Sequence, residues 1–161
     1  MSIIEKARKD AEAAHKNDKR VMGEDKGKSY FHTHVERVAH AVSEGSVSLG
    51  LYSEEIVAAA YLHDVVEDHG DRYSLEYVRD HYGDKVADIV DGVTHRKGES
   101  YLDYVLRAIK SPEAAFVKEI DLKDNMRDLR EGQMKDKYRF ALYLIIKDRM
   151  DNVARKVVGA Y

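Results

Sequence analysis

Residues 58–70 read AAAYLHDVVEDHG, an apolar run that passes directly into His63, Asp64, Glu67 and Asp68. No other stretch constrains the fold as tightly. Ala58 to Leu62 suits a buried helix, whereas charged groups are rarely buried unless they are paired or coordinate a metal. Either the helix surfaces abruptly here, or it delivers metal ligands into a cleft.

The rest of the sequence is rich in helix signals and poor in strand signals. Ser2-x-x-Glu5 is a capping box that predicts a helix to about His15. Thr33-x-x-Glu36 is a second, opening a helix with Val35, Val38, Ala39 and Val42 on one side. Ser53 starts the helix that carries AAAYLHDVVED, and Gly70 marks its exit. Ser74 caps a shorter helix, with Leu75 and Val78 inward, that stops at Gly83. Asp84 opens the next, through Val86, Ile89 and Val90. SPEAAF (111–116) places serine at the cap and proline at the first helical position, predicting a helix through about Leu129. A last helix, roughly Asp136 to Val158, contains FALYLII and is expected at the centre of the core. Segments 16–32 and 94–100 are expected to be exposed loops. With 161 residues, one proline and no linker or internal repeat, the expectation is a single all-α domain over 1–161.

Composition narrows the chemistry. Cysteine is absent, which excludes disulfides, thiolate zinc sites and a cysteine nucleophile. Any metal must then be held by histidine nitrogen and carboxylate oxygen, a donor set that suits manganese, iron, zinc or magnesium. A net charge of −3 gives no basic field for nucleic acid, although HRK (95–97) suits one small anionic ligand. No apolar run approaches a membrane span, and MSIIEKARKD lacks the features of a secretory signal. A cytoplasmic protein with neither membrane nor nucleic-acid partner is expected.

On a continuous helix His63 and Glu67 share a face, while Asp64 and Asp68 form a second pair rotated by about 100°. A His–Asp pair serves one ion only if other helices add ligands. The candidates are His34, with His32 as its competitor, and Asp121 in KEIDLKDNM, with Asn125 one turn on. His34, His63, Asp64 and Asp121 supply two nitrogens and two carboxylates, leaving positions for water and a phosphate oxygen. Glu67 and Asp68 fall just beyond that set, where a carboxylate orients or deprotonates the attacking water. Side chains and spacing thus point to a metal-assisted phosphohydrolase. Taken singly, His15, His40, His69, His81 and His95 read as surface or satisfied histidines, and Asp124, Asp128 and Asp148 as parts of solvated faces.

These motifs resemble the HD superfamily of metal-dependent phosphohydrolases, and within it the hydrolase domain of RelA/SpoT-type alarmone enzymes, from about Ala11 to Leu129. AHKNDKR is similar to A-H-x-x-Q-x-R, with His15 and Arg20 in register and Asp18 in the glutamine place. SYFHTHVERVA is similar to P-Y-I-x-H-P-x-x-V-A, and counting back from Val38-Ala39 makes His34 the ligand. AAYLHDVVEDH nearly repeats A-A-L-L-H-D-V-V-E-D-T, and YGDKVADIVDGVTH matches F-G-x-x-V-A-x-L-V-D-G-V-T-K. VKEIDLKDNMR matches V-K-L-A-D-R-L-H-N-M-R, with Asp121 as ligand. There are departures: Val35 replaces a proline, one extra residue separates Tyr30 from His34, Glu119 replaces an apolar residue, and the loop Lys16–Ser29 is longer.

The resemblance implies an HD-type helical bundle and a small, hydrolase-only enzyme that uses Mn²⁺ to remove the 3′-pyrophosphate of (p)ppGpp. It implies Arg20 against the base and Asn125 at the sugar. Other readings are a 5′-nucleotidase or dNTP triphosphohydrolase of the same superfamily, which DGVTHR and VVED disfavour, and a nucleotide-binding module without catalysis. All four ligands, Glu67 and Asp68 are present, which argues against the last.

Overall fold

Serine hydroxyls open five helices by accepting a backbone N–H of the first turn, at Ser2, Ser53, Ser74, Ser100 and Ser111. The computed structural model describes residues 1–159. Among these, nine α-helices follow in order: α1 Ile3–Ala14, α2 Glu36–Ser48, α3 Glu54–Tyr61, α4 Val65–His69, α5 Leu75–Tyr82, α6 Asp84–Val93, α7 Tyr101–Ala108, α8 Pro112–Asp128 and α9 Gln133–Val158. The one β-type pairing is an isolated bridge between Lys19 and Ser29. The all-α expectation holds, and none of the described helices is long and apolar enough to cross a membrane. Helix α7 was not anticipated from the sequence, although Ser100-x-x-Asp103 caps it.

The centre of the core is α3, not the last helix. Ile56 to Leu62 are all buried, as befits a segment apolar on every side, and α3 packs against α1, α2, α6 and α8. In FALYLII only Ala141 and Ile145 are buried, while Phe140, Tyr143 and Ile146 face outward. Helix α9 lies along the rim on α8 and α7, so only one stripe of it finds a partner. Glu119, the charged departure in α8, helps to attach it. Its buried carboxylate accepts from Arg149 of α9 and from Lys123.

Small residues let α2 and α6 approach α8, the helix that carries Asp121. A Cβ on Gly92 of α6 would lie 2.7 Å from the Ala114 Cβ of α8, and one on Gly45 of α2 would lie 2.8 Å from the Phe116 ring. Only glycine permits these approaches.

Two local expectations fail, both beside the candidate ligand histidines His34 and His63. The run AAAYLHDVVEDHG is not one helix: α3 ends at Tyr61, Leu62 to Asp64 form a turn, and α4 begins at Val65. His63 and Glu67 therefore do not project from one helical face. Nor does the Thr33–Glu36 capping box form. Phe31–Val35 is a π-helical turn in which Thr33 Oγ1 donates to Ser29 O at 2.6 Å, and Glu36 is taken by Arg8 and His32. A π turn absorbs one additional residue within a helix. That accounts for the extra residue between Tyr30 and His34 without turning either from the interior. The expected loop from 16 accordingly ends at Ser29 rather than 32.

Candidate metal centre

His34 comes from the π turn before α2, His63 and Asp64 from the turn between α3 and α4, and Asp121 from the middle of α8. Their atoms converge. His34 Nε2 lies 3.2 Å from His63 Nε2, 3.4 Å from Asp64 Oδ2 and 3.3 Å from Asp121 Oδ1. His63 Nε2 lies 3.1 Å from Asp64 Oδ2 and 3.7 Å from Asp121 Oδ1. Neighbouring side chains on a straight helix diverge, so the break at Leu62–Asp64 is what lets His63 and Asp64 face one point.

The surroundings set the tautomers. His34 Nδ1 donates to Asp124 Oδ2 at 2.7 Å, and His63 Nδ1 donates to Ala60 O at 2.7 Å. Both Nε2 atoms are thereby turned to the centre, where a divalent ion would replace a proton on them. Ligands about 2.1 Å from a shared ion are roughly 3.0–3.4 Å from one another, close to the separations found here. Two imidazole and two carboxylate donors, with no sulfur, fit a borderline or hard divalent cation. His34, His63 and Asp121 are buried and Asp64 is mostly so, which leaves little water to satisfy them.

Each carboxylate also accepts from a neighbouring donor, and only Lys118 takes an oxygen that does not face the imidazoles. Tyr30 Oη donates to Asp64 Oδ2 at 2.6 Å, Asn125 Nδ2 to Asp121 Oδ1 at 2.6 Å, and Lys118 Nζ to Asp121 Oδ2 at 2.7 Å. Burial opposes charge on all of them, but the pairing wins. The Asp64 and Asp121 carboxyls lie well below the usual range, and the His34 imidazole is held at about 9 by Asp121, Asp124 and Asp64 against its burial.

Several sequence expectations need correction. Asp124 is not on a solvated face: it is buried and accepts from His34 and from Arg37. Asp128 is likewise enclosed, accepting from Arg20 Nε at 2.6 Å. Tyr30, Lys118 and Asp124 are supporting residues that motif reading missed. Lys118 and Asp124 stand three residues either side of Asp121, a spacing that places neighbours together on a helix. His15 is neither at the surface nor fully satisfied, being wholly buried with an unpartnered Nε2. His32 is exposed and pairs with Glu36, away from the centre.

Arg20 and Asn125 do meet: Arg20 Nη2 donates to Asn125 Oδ1 at 3.0 Å, and the guanidinium lies over the Tyr30 ring. The Asn125 amide thus bridges Arg20 and Asp121. Arg20, Tyr30, Asn125 and Tyr138 line a cavity of about 300 Å³ that adjoins the centre through Tyr30 and Asn125.

Glu67 and Asp68 project from α4 at the exposed rim. Glu67 Oε2 accepts the His95 N–H at 2.9 Å. Partial desolvation, with the Asp64 and Glu67 carboxylates nearby, pushes the Asp68 carboxyl up to about 6. The 94–100 segment that supplies His95 is a loop, as expected, and Arg107 fastens it. Its guanidinium donates to Glu99 Oε1 at 2.7 Å and to the Asp91 and Thr94 carbonyls. The Arg107 guanidinium, with the Arg96 N–H, lowers the Glu99 carboxyl from 4.5 to about 2. A depressed carboxylate stabilises the fold above its unfolded value, and the contribution is lost as pH falls toward the folded value. Glu99→Gln should therefore cost about 1–3 kcal/mol at neutral pH. In thermal melts its gap from wild type should narrow between about pH 5 and 3. A gap independent of pH would remove Glu99 as the anchor.

Comparison with known proteins follows the same lines. The sequence model of a family described as an HD domain matches residues 7–138. A probable GTP pyrophosphokinase of Mycobacterium leprae is 32% identical over 139 residues, covering 81% of this chain and 16% of that protein. A guanosine-3′,5′-bis(diphosphate) 3′-pyrophosphohydrolase of Aquifex aeolicus is 31% identical over 134 residues, covering 78% of this chain and 18% of that protein. The chain thus spans under a fifth of the length of these curated relatives. In fold, it is similar to a solved structure of a metazoan SpoT ortholog described as hydrolysing ppGpp. The TM-score is 0.68 at 24% identity, over 92% of this chain and 85% of that one.

Proposed function

The chain belongs to the HD-domain family, and from that premise we propose that it is a metal-dependent phosphohydrolase that removes the 3′-pyrophosphate of (p)ppGpp. One observation carries the reading. Ligand atoms of His34, His63 and Asp121 lie within 4.8 Å of one another with Asp64 Oδ2 beside both imidazoles, each ring is oriented by a hydrogen bond at Nδ1, and a cavity of about 300 Å³ adjoins them. The Aquifex relative bears the name of this activity, and the metazoan structure is described by it.

In this reading His34, His63, Asp64 and Asp121 hold one divalent ion, Mn²⁺ by the family resemblance. Bound there, such an ion supplies charge that polarises a phosphoryl group and acidifies water. Glu67 and Asp68 orient and deprotonate the attacking water, and a carboxyl near 6 is suited to proton transfer at neutral pH. The water oxygen bonds to the phosphorus carried by the 3′ oxygen. That P–O bond breaks, pyrophosphate leaves, and the 3′ oxygen takes a proton. Arg20, lying against the Tyr30 ring, receives the base in the cavity. Asn125 stands between Arg20 and Asp121, where a sugar would join base to phosphate. Such a substrate places the enzyme in the cytoplasm.

A substrate panel with Mn²⁺ tests this: ppGpp, NADPH as a nucleotide with a 2′-phosphate on its adenosine ribose, nucleoside monophosphates and dNTPs. The expected result is turnover of ppGpp with release of pyrophosphate rather than orthophosphate. Hydrolysis of dNTPs or monophosphates with ppGpp untouched would move the protein to another branch of the superfamily.

A further inference from the structure

A second group of ligating side chains lies outside this centre. His15 caps the C-terminal end of α1, Asp18 follows in the turn, and His69 ends α4. Their donor atoms all lie within 4.8 Å of one another. A single oxygen, Asp18 Oδ2, sits 2.8 Å from His15 Nδ1 and 2.7 Å from His69 Nε2. We propose that His15, Asp18 and His69 form a second divalent transition-metal site, of the kind that takes Zn²⁺.

Three observations carry this. The first is the donor set: two imidazole nitrogens and one carboxylate oxygen suit zinc and its first-row neighbours better than magnesium or calcium. The second is His15 itself. It is wholly buried against Tyr30 and His69 with Nδ1 turned to Asp18 Oδ2, so the nitrogen that would bind an ion is held beside the other two donors. Burial holds its pKa below the usual imidazole value, which leaves a neutral ring with no added proton to displace.

The third is where the chain departs from the family motifs. Asp18 stands in the glutamine place of A-H-x-x-Q-x-R, and His69 in the threonine place that closes H-D-V-V-E-D-T. Each change replaces a neutral side chain with a metal-ligating one, and both converge on the same buried histidine. His15 is enclosed, but His69 and Asp18 are partly open, which gives an ion a way in from solvent and leaves room for water as a further ligand. An ion here ties the end of α1, and the loop that carries Arg20, to the end of the helix that carries Glu67 and Asp68.

Metal content decides the matter. Protein stripped of metal, equilibrated with excess Zn²⁺ and desalted is analysed by mass spectrometry. Wild type should retain one more ion per chain than Asp18→Gln/His69→Thr, which installs the motif residues, with unchanged far-UV circular dichroism. Asp121→Ala should keep this ion. Equal ion content in wild type and the double variant would overturn the site. Should the double variant lose its helical signal, ¹⁵N-labelled wild type decides. Zn²⁺ must then shift both the His15 Nδ1 and the His69 Nε2 resonances. If both stay unmoved, the three residues are a hydrogen-bonded triad and the proposal fails.

Discussion

Asp121→Ala is expected to abolish tight metal retention at the centre, and turnover with it. Asp121 Oδ1 faces both ligand imidazoles, and the carboxylate is buried in the middle of α8. Removing it leaves His34 and His63 one donor short and strips Lys118 of its partner. Changes behind a ligand alone cost roughly 10–100-fold in metal affinity or activity, so loss of the ligand itself should exceed about 100-fold. An uncompensated ammonium also destabilises the fold. Asp121→Asn removes the same charge but keeps the shape and an oxygen for Lys118 Nζ to donate to, so metal loss is read with less disturbance of the packing. Asp64→Ala should behave in the same direction. His32→Ala is the control, because His32 is exposed and bound to Glu36, and it should retain the ion. Elemental analysis of the four variants reads the outcome. Wild-type metal content in both Asp64→Ala and Asp121→Ala would sink the ligand assignment.

Glu67→Gln is expected to lower kcat by roughly 10²–10⁴-fold, the usual contribution of a general base. Bound metal and nucleotide affinity should change little. Glutamine keeps the size of the side chain and an oxygen able to accept the His95 N–H, so loop 94–100 stays docked. The competing view is that Glu67 serves only that loop, at a surface position where such a contact contributes about 0–1 kcal/mol. The two views part cleanly when kcat, metal content and melting temperature are measured together. Normal kcat would reduce Glu67 to a loop contact. Lost metal would make it a ligand and require redrawing the centre.

The class of fold was legible because its signals are local. Serine caps, the Ser-Pro start of α8 and the glycine stops at 70 and 83 each act over one helical turn, and each appears where the sequence places it. The candidate ligand set could be assembled for a related reason. His-Asp, the upstream histidine and Asp-x-x-x-Asn are residue types whose burial makes sense only if they are drawn to a common partner. His34 rather than His32 was reached by counting along a motif, and the structure buries the one and exposes the other.

What the sequence left open depends on partners far along the chain. Asp124 looks like one more charge on a polar helix until His34, ninety residues earlier, is laid against it. FALYLII is apolar enough for the centre of a core, yet α3 occupies that place and α9 is left with one neighbouring face. The breaks that aim the ligands, the turn at Leu62–Asp64 and the π turn at Phe31–Val35, run against local helical periodicity. Short-range pattern fixes which residues form helices and which side chains carry chemistry. Helix breaks, burial and convergence are set by packing, where the cost of a distorted turn is offset by contacts that no single segment contains.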